Sequence, residues 1–593
     1  MTAGKLGEPV MIRDPWLGVA TIVAAGLAFA TSAFAADKVH ASKTPPAPAD
    51  TVFVDGAVYT ADAARSWATA VAVRGDRIVY VGDDATARSY IGQGTRVIEL
   101  AGRMLLPGFQ DSHVHPALAP NPATQLDVGG LKTGNEIVER IRQHALAHPG
   151  KPWVVGTGWA EAAFLPGGQP TRAALDAAVP DRPAFLTNNS QHMGWANSRA
   201  LALAGIDANT PDPANGRIER DAAGQPTGVL QEAAMELLRH VIPPPTVEEQ
   251  GENLLASMRE MQRNGITAYE DAAARPAFIE AYAALATAGR IDMRVRICQW
   301  FDPAGADEAQ VQAAIRWREV FAKTKVDAGC VKIVLDGAYG SHTVALQEPY
   351  SDEPEKFGTG KLFVDPERLR RVVTRLDAAG FQVHIHTLGD GAVRTALDAF
   401  EAARKANGPR DTRHTLAHLA LIDDADLRRF RELGVVANMS PVWNRGDPWE
   451  TVFAPKLFGP ERSANLYRTR SLLDAGAVLV WGSDWPVTGV DALDGIETAT
   501  TRRYPGGKTP DGVDDVSWIP GQRVTLPEAI TAYTAAGAYL LHAEHERGTI
   551  TAGKLADLIV LSDNLFAVPL LAIHALEVDL TLIGGKPVFE RPR

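Results

Sequence analysis

The sequence predicts an α/β fold class, a (β/α)8 TIM barrel, on three observations. Short apolar strands alternate with amphipathic helical stretches such as 309–325, 365–379 and 391–407, the pattern of a parallel sheet with crossover helices. Eight strand segments can be counted: MLLPGFQDSHVH, GITAYEDAA, MRVRICQWF, GCVKIVLDGA, FQVHIHTLGD, TRHTLAHLALI, GVVANMSPVW and AVLVWGSDWPV. Eight successive strand–helix units are what the barrel requires. An open doubly wound sheet is the competing arrangement, but no glycine-rich nucleotide fingerprint follows the first strand.

Taken in order, residues 1–35 read as a signal peptide. Trp16 to Ala36 carries no charge and ends in Ala33-Phe34-Ala35, a small-x-small cleavage pattern, although Lys5 and Arg13 are offset by Glu8 and Asp14. The protein is therefore expected to be exported, periplasmic or secreted. The same stretch, residues 16–36, is just long enough to span a bilayer, so a membrane anchor is the alternative. Residues 36–50, with PPAPAD, read as a linker. Residues 51–106 show hairpin patterning, with β-branched runs broken by Asp-Gly and Gly-Asp, and residues 541–593 repeat the style, so both chain ends are expected to build one small β-sandwich domain. The barrel is expected over 107–540. Its interval 120–263, after the first strand, is too long for a barrel loop and reads as an α/β insertion beside the mouth.

A formal charge of −12 with no basic run excludes phosphate-backbone binding, so nucleic acid is not an expected partner. Two cysteines cannot make a disulfide framework or a cysteine-based zinc site. Cys330 is expected as a packed thiol in the barrel interior, because a disulfide to Cys298 on the neighbouring parallel strand looks geometrically awkward.

His113-Val114-His115 ends the first barrel strand, and residues two apart on a strand share a face, so both imidazoles can reach one cation. A ligand-capable residue recurs at the C-terminal end of four other strands: Lys332, His386, His418 and Asp484. Barrel chemistry collects at that rim. His384 shares a face with His386, and His414 with His418; the later member of each pair is favoured at the rim and the earlier reads as barrel interior.

These segments, together with GTGWAEAAF, QHMGWANSRAL, PTGVLQE, VKIVLDGAYGS, HTLGDGA, GSDWP and GKLADLIVL, resemble the metal-dependent amidohydrolase superfamily over nearly the whole chain from Asp50. The closest likeness is to its YtcJ-like branch (amidohydrolase family 3), which includes N-substituted formamide deformylase. The resemblance implies two zinc ions: His113 and His115 with Asp484 on the more buried one, His386 and His418 on the second, and Lys332, carboxylated, bridging them. A carbamate would supply two anionic oxygens where a neutral lysine is a poor ligand. An inward lysine paired with Asp336 or Asp484 is the alternative, and an unmodified Lys332 would argue for one metal.

The implied reaction is hydrolysis of a C–N bond, in an amide or N-substituted formamide, by a metal-bound hydroxide, with Asp484 as the catalytic proton acceptor and donor. Lactone, carbamate, dipeptide or deamination chemistry are the rivals within the superfamily, and a non-catalytic regulatory protein on the same scaffold is the rival outside it. His192 resembles a position near the active-site mouth. Trp159, Trp195 and Trp300, with Trp443 and Trp485, fall at strand ends or in the insertion and could line an apolar pocket. The expected partner is a small-molecule amide with an apolar substituent, with no stable membrane association once the signal segment is cut; a homodimer is the oligomer considered. Where branch members carry an acidic residue before the strand-six histidine, this chain has Ala417.

Overall fold

Eight parallel strands make up the central sheet of the computed structural model: β1 (Phe109–Val114), β2 (Ile266–Ala274), β3 (Arg294–Trp300), β4 (Val326–Val334), β5 (Gln382–Thr387), β6 (Thr415–His418), β7 (Val436–Met439) and β8 (Val478–Trp481). Each is hydrogen-bonded to the next in sequence order, the arrangement of a nearly closed barrel. Most of their residues are buried on both faces, which is why they read as near-continuous apolar runs rather than alternating ones. Past the end of β8, the chain is bonded back to β1 and its continuation: the Asp484 amide donates to His113 O at 2.8 Å and the His115 amide to Trp485 O at 2.8 Å. Gly482 permits this seam, since a Cβ there would lie 2.3 Å from His113 Cβ.

The structure describes residues 46–119, 126–164, 169–243 and 245–592. The signal-peptide reading of residues 1–35, and the linker up to residue 45, lie outside the described residues. Among the described residues no helix is long and apolar enough to cross a membrane.

The outer helices start on ordinary caps. Thr246 and Glu249 form a reciprocal capping box on Val247–Arg263, and Asp365 caps Pro366–Ala378, whose proline sits in the first turn where its missing N–H costs nothing. Strands from both chain ends share a six-stranded sheet in the order Lys586–Glu590, Val578–Ile583, Leu558–Leu561, Met104–Pro107, Ala57–Tyr59, Trp67–Ala68. A four-stranded sheet built around Thr51–Val54 packs with it through Phe53, Val58, Val71, Leu105, Leu558 and Val560. Met104–Pro107, counted with the first barrel strand from sequence, is thus a separate strand paired with Leu558–Val560. After β1, the insertion folds as a six-stranded sheet with helices on it.

One expectation is overturned: Cys298 and Cys330 form a disulfide, with Cα atoms 4.3 Å apart. The two residues are register partners across β3 and β4, and the ladder shifts between Arg296 and Cys298. As direct register partners, the two side chains stand side by side on neighbouring strands.

Candidate metal centre

The site grows from the seam between β1 and the segment after β8. Asp484 Oδ1 lies 3.4 Å from His113 Nε2 and 3.0 Å from His115 Nε2. The three side chains present donor atoms all within 4.8 Å of one another. His113 Nε2 and Asp484 Oδ1 are buried and have no hydrogen-bond partner. A buried polar atom left unpaired costs about 1–3 kcal/mol, so two such atoms converging on one point call for a third party. Two imidazole nitrogens and a carboxylate oxygen fit a divalent ion such as zinc.

His418 and His386 complete the arc. Ring centroids are 4.8 Å apart for His113 and His418, and 4.5 Å for His418 and His386. The His418 ring stacks on Trp443 at 5.1 Å, and His386 Nδ1 is bonded to Asp336 Oδ1 at 2.9 Å. Lys332 is 2% exposed and feels the carboxylates of Asp484 and Glu270. Burial lowers its ammonium to about 8, against the opposing pull of those two groups. Asp336, considered above as a partner for Lys332, is committed to His386 and to the amides of Leu388 and Gly389.

Burial first, then the charge of Lys332, holds His113 well below the usual imidazole range. Burial, then His386, does the same for His418. Neutral imidazole is the form that binds metal. Backbone strain marks the rim as well: Asp484 sits at φ 57° and His418 at 76°, left-handed conformations that non-glycine residues adopt at a cost and that cluster at functional sites, and Glu232 of the insertion sits at 51°.

Beneath the rim, His384 Nε2 is 2.9 Å from His113 Nδ1, and His384 Nδ1 is 2.7 Å from Glu270 Oε1. Burial pushes Glu270 up to about 7, with Arg296 and Lys332 opposing. Asp111, also buried, is pushed up to about 6 while accepting from the Ser483 hydroxyl and amide. His414, read above as barrel interior, instead stacks on Phe400 of the outer helix at 4.6 Å and faces Asp377, because it precedes β6 and points into the helical layer.

Sequence reasoning passed over Asp111, Glu232 and Glu270. Asp111 carried a usable signal, two residues before His113 on the same strand face; Glu270 showed, with Asp271, as one of two adjacent acidic residues inside a mostly apolar strand. Glu232 lies in the insertion, and only the fold reveals its partner.

At the mouth, His192 Nδ1 is 3.0 Å from Glu232 Oε2, and its ring centroid is 6.1 Å from that of His386. Ser341 Oγ and Thr343 Oγ1 donate to Glu232 Oε1 at 3.0 and 3.2 Å. Trp300, at the end of β3, is half-buried under the Arg275 guanidinium. Trp159 and Trp195 are not at the mouth. Both are fully buried in the core of the insertion, with indole N–H groups donated to Leu186 O and Thr171 O, so neither is available to a substrate.

The chain is 31% identical to the protein LONG AFTER FAR-RED 3 of Arabidopsis thaliana, over 92% of this chain and 93% of that one. It is 30% identical to YtcJ of Bacillus subtilis (84% and 91% covered) and 29% identical to the N-substituted formamide deformylase of Arthrobacter pascens (91% and 98%). Among solved structures, an uncharacterized metal-dependent hydrolase from Pyrococcus furiosus superposes with a TM-score of 0.67 at 26% identity, covering 87% of this chain and 99% of that one. These likenesses place the sequence in the YtcJ-like branch. With a family model matching residues 96–589, the chain belongs to the amidohydrolase family.

Proposed function

We propose that the protein hydrolyses the C–N bond of an N-substituted amide or formamide at a zinc centre. The observation that carries this reading is the convergence of His113 Nε2, His115 Nε2 and Asp484 Oδ1, two of them buried and otherwise unpaired. The formamide class is supported by the name of the Arthrobacter pascens relative. His113, His115 and Asp484 would hold one ion and His386 and His418 a second, with Lys332 carboxylated between them. A zinc ion supplies Lewis acidity and a lowered water pKa.

The residues of the chain do the rest. Asp484 takes a proton from the attacking water and returns it to the departing nitrogen, a role suited to a carboxylate clamped by its own amide to His113. His192, its Nδ1 tied to Glu232, keeps Nε2 for a polar group of the substrate. Trp300 and Trp443 offer aromatic faces to an apolar substituent. Export, and action as a homodimer on a small soluble amide, complete the proposal. Elemental analysis of purified protein, joined to hydrolysis assays on formamides, acylated amino acids, dipeptides and lactones, tests it. Zinc with formamide or amide turnover is expected; a metal-free protein, or turnover confined to lactones, overturns it.

A further inference from the structure

We infer that Glu270 and His384 form a positioning relay that fixes His113 as its Nδ1–H tautomer and thereby aims the Nε2 lone pair at the metal centre. The inference rests on the proposal that His113 is a metal ligand. With Glu270 ionised, the form that the neighbouring Arg296 favours, each link leaves the next no choice. The carboxylate can only accept, so His384 Nδ1 carries the hydrogen donated to Glu270 Oε1 across 2.7 Å. The other nitrogen of a neutral His384, Nε2, must then accept, and the group opposite it at 2.9 Å is His113 Nδ1, which therefore donates. His113 Nε2 is left as a bare lone pair, and it is the buried, unpartnered atom facing Asp484.

The surroundings of the relay reinforce its direction. Glu270, the two cysteines and His384 bring their polar or sulfur atoms within 4.8 Å of one another, from β2, β3, β4 and β5. Joined in a disulfide, the sulfurs carry no S–H and cannot donate to His384. Arg296 Nε stands 3.9 Å from Glu270 Oε2, on the carboxylate oxygen that His384 does not use. His386 is oriented by one direct contact to Asp336, whereas His113 Nδ1 is reached through a second ring.

The test uses the full-length protein and measures zinc and cobalt affinity by chelator competition, with the cobalt absorption spectrum as a report on ligand geometry. Glu270→Leu, which removes the acceptor, is expected to weaken binding about 10–100-fold and to change the cobalt spectrum. Because Glu270 acts through His384, adding Glu270→Leu to His384→Phe should weaken binding no further. The pair Cys298→Ala and Cys330→Ala perturbs packing in the same layer and should leave affinity within about twofold of the parent, as no metal donor is oriented by the sulfurs. Wild-type affinity in Glu270→Leu, or additive losses in the double variant, overturns the relay while leaving the metal centre standing. Failure of the wild type to bind either ion overturns the metal centre and the relay with it. Should the interior variants not fold, ring-15N NMR of the metal-free wild type decides: Nδ1–H tautomers at His113 and His384 support the relay, and an Nε2–H tautomer at either overturns it.

Discussion

Asp336 Oδ1 and His386 Nδ1 stand 2.9 Å apart, and the same carboxylate receives the amides of Leu388, Gly389 and Ala345. One side chain therefore orients a rim histidine and satisfies the turn that follows β5. Asp336→Ala would strand several buried donors, each worth about 1–3 kcal/mol, so a loss of at least about 4 kcal/mol is expected in urea unfolding of the metal-free protein. Asp336→Asn keeps one acceptor oxygen and should lose less. An alanine variant as stable as wild type would show that these contacts are not holding the rim.

Asp484 is predicted to separate metal binding from turnover. Asparagine keeps an oxygen that faces His113 and His115 but cannot take up a proton. Asp484→Asn should retain at least half the wild-type metal by elemental analysis and lose about 10²–10⁴-fold in kcat/KM on any amide the wild type hydrolyses. Undiminished turnover would remove Asp484 from the proton-transfer role.

The barrel and its rim were legible in the sequence because both follow local rules. Each strand is a short apolar run, and each of the six rim side chains sits at a strand end. The relay beneath was not legible. Glu270 and His384 are 114 residues apart, and although the His384-x-His386 spacing marks His384, nothing in it points to Glu270. The tryptophans misled for a related reason: Trp159 does end a strand, but that strand lies in the insertion sheet, where its end is covered by Phe164 instead of open to the barrel mouth. The disulfide was missed because neighbouring parallel strands were taken as awkward for a bridge, and the register that pairs Cys298 with Cys330 is a property of the folded ladder alone.

Asp111 gives a pH signature. Burial raises its folded pKa from 3.8 to about 6, so between those values the folded protein holds a proton that the unfolded chain has released. Stability from this group is full below pH 4, declines as pH rises to about 6, and stays low above it. Two units correspond to about 3 kcal/mol at most. The stability difference between wild type and Asp111→Asn, measured on metal-free protein by urea unfolding, should therefore shift against wild type by about 2–3 kcal/mol from pH 4 to pH 7. A difference that is flat across this range would contradict a carboxyl whose burial outweighs its hydrogen bonds from Ser483 and His113.

The Cys298–Cys330 bond closes a segment with a sequence separation of 32, one whole strand–helix unit containing helix Asp307–Phe321. Cross-linking a loop of that length removes unfolded-state entropy worth about 3–4 kcal/mol at 25 °C in the chain-entropy account. Thiol titration of protein unfolded without reductant should find no free thiol, since the chain has only these two cysteines. Cys298→Ser with Cys330→Ser should unfold at lower urea by an amount equivalent to about 3–4 kcal/mol, with the slope of the transition raised because the unfolded chain is less compact. Two titrating thiols would remove the cross-link. They would also place two S–H donors beside His384, where the relay to Glu270 would have to compete with them.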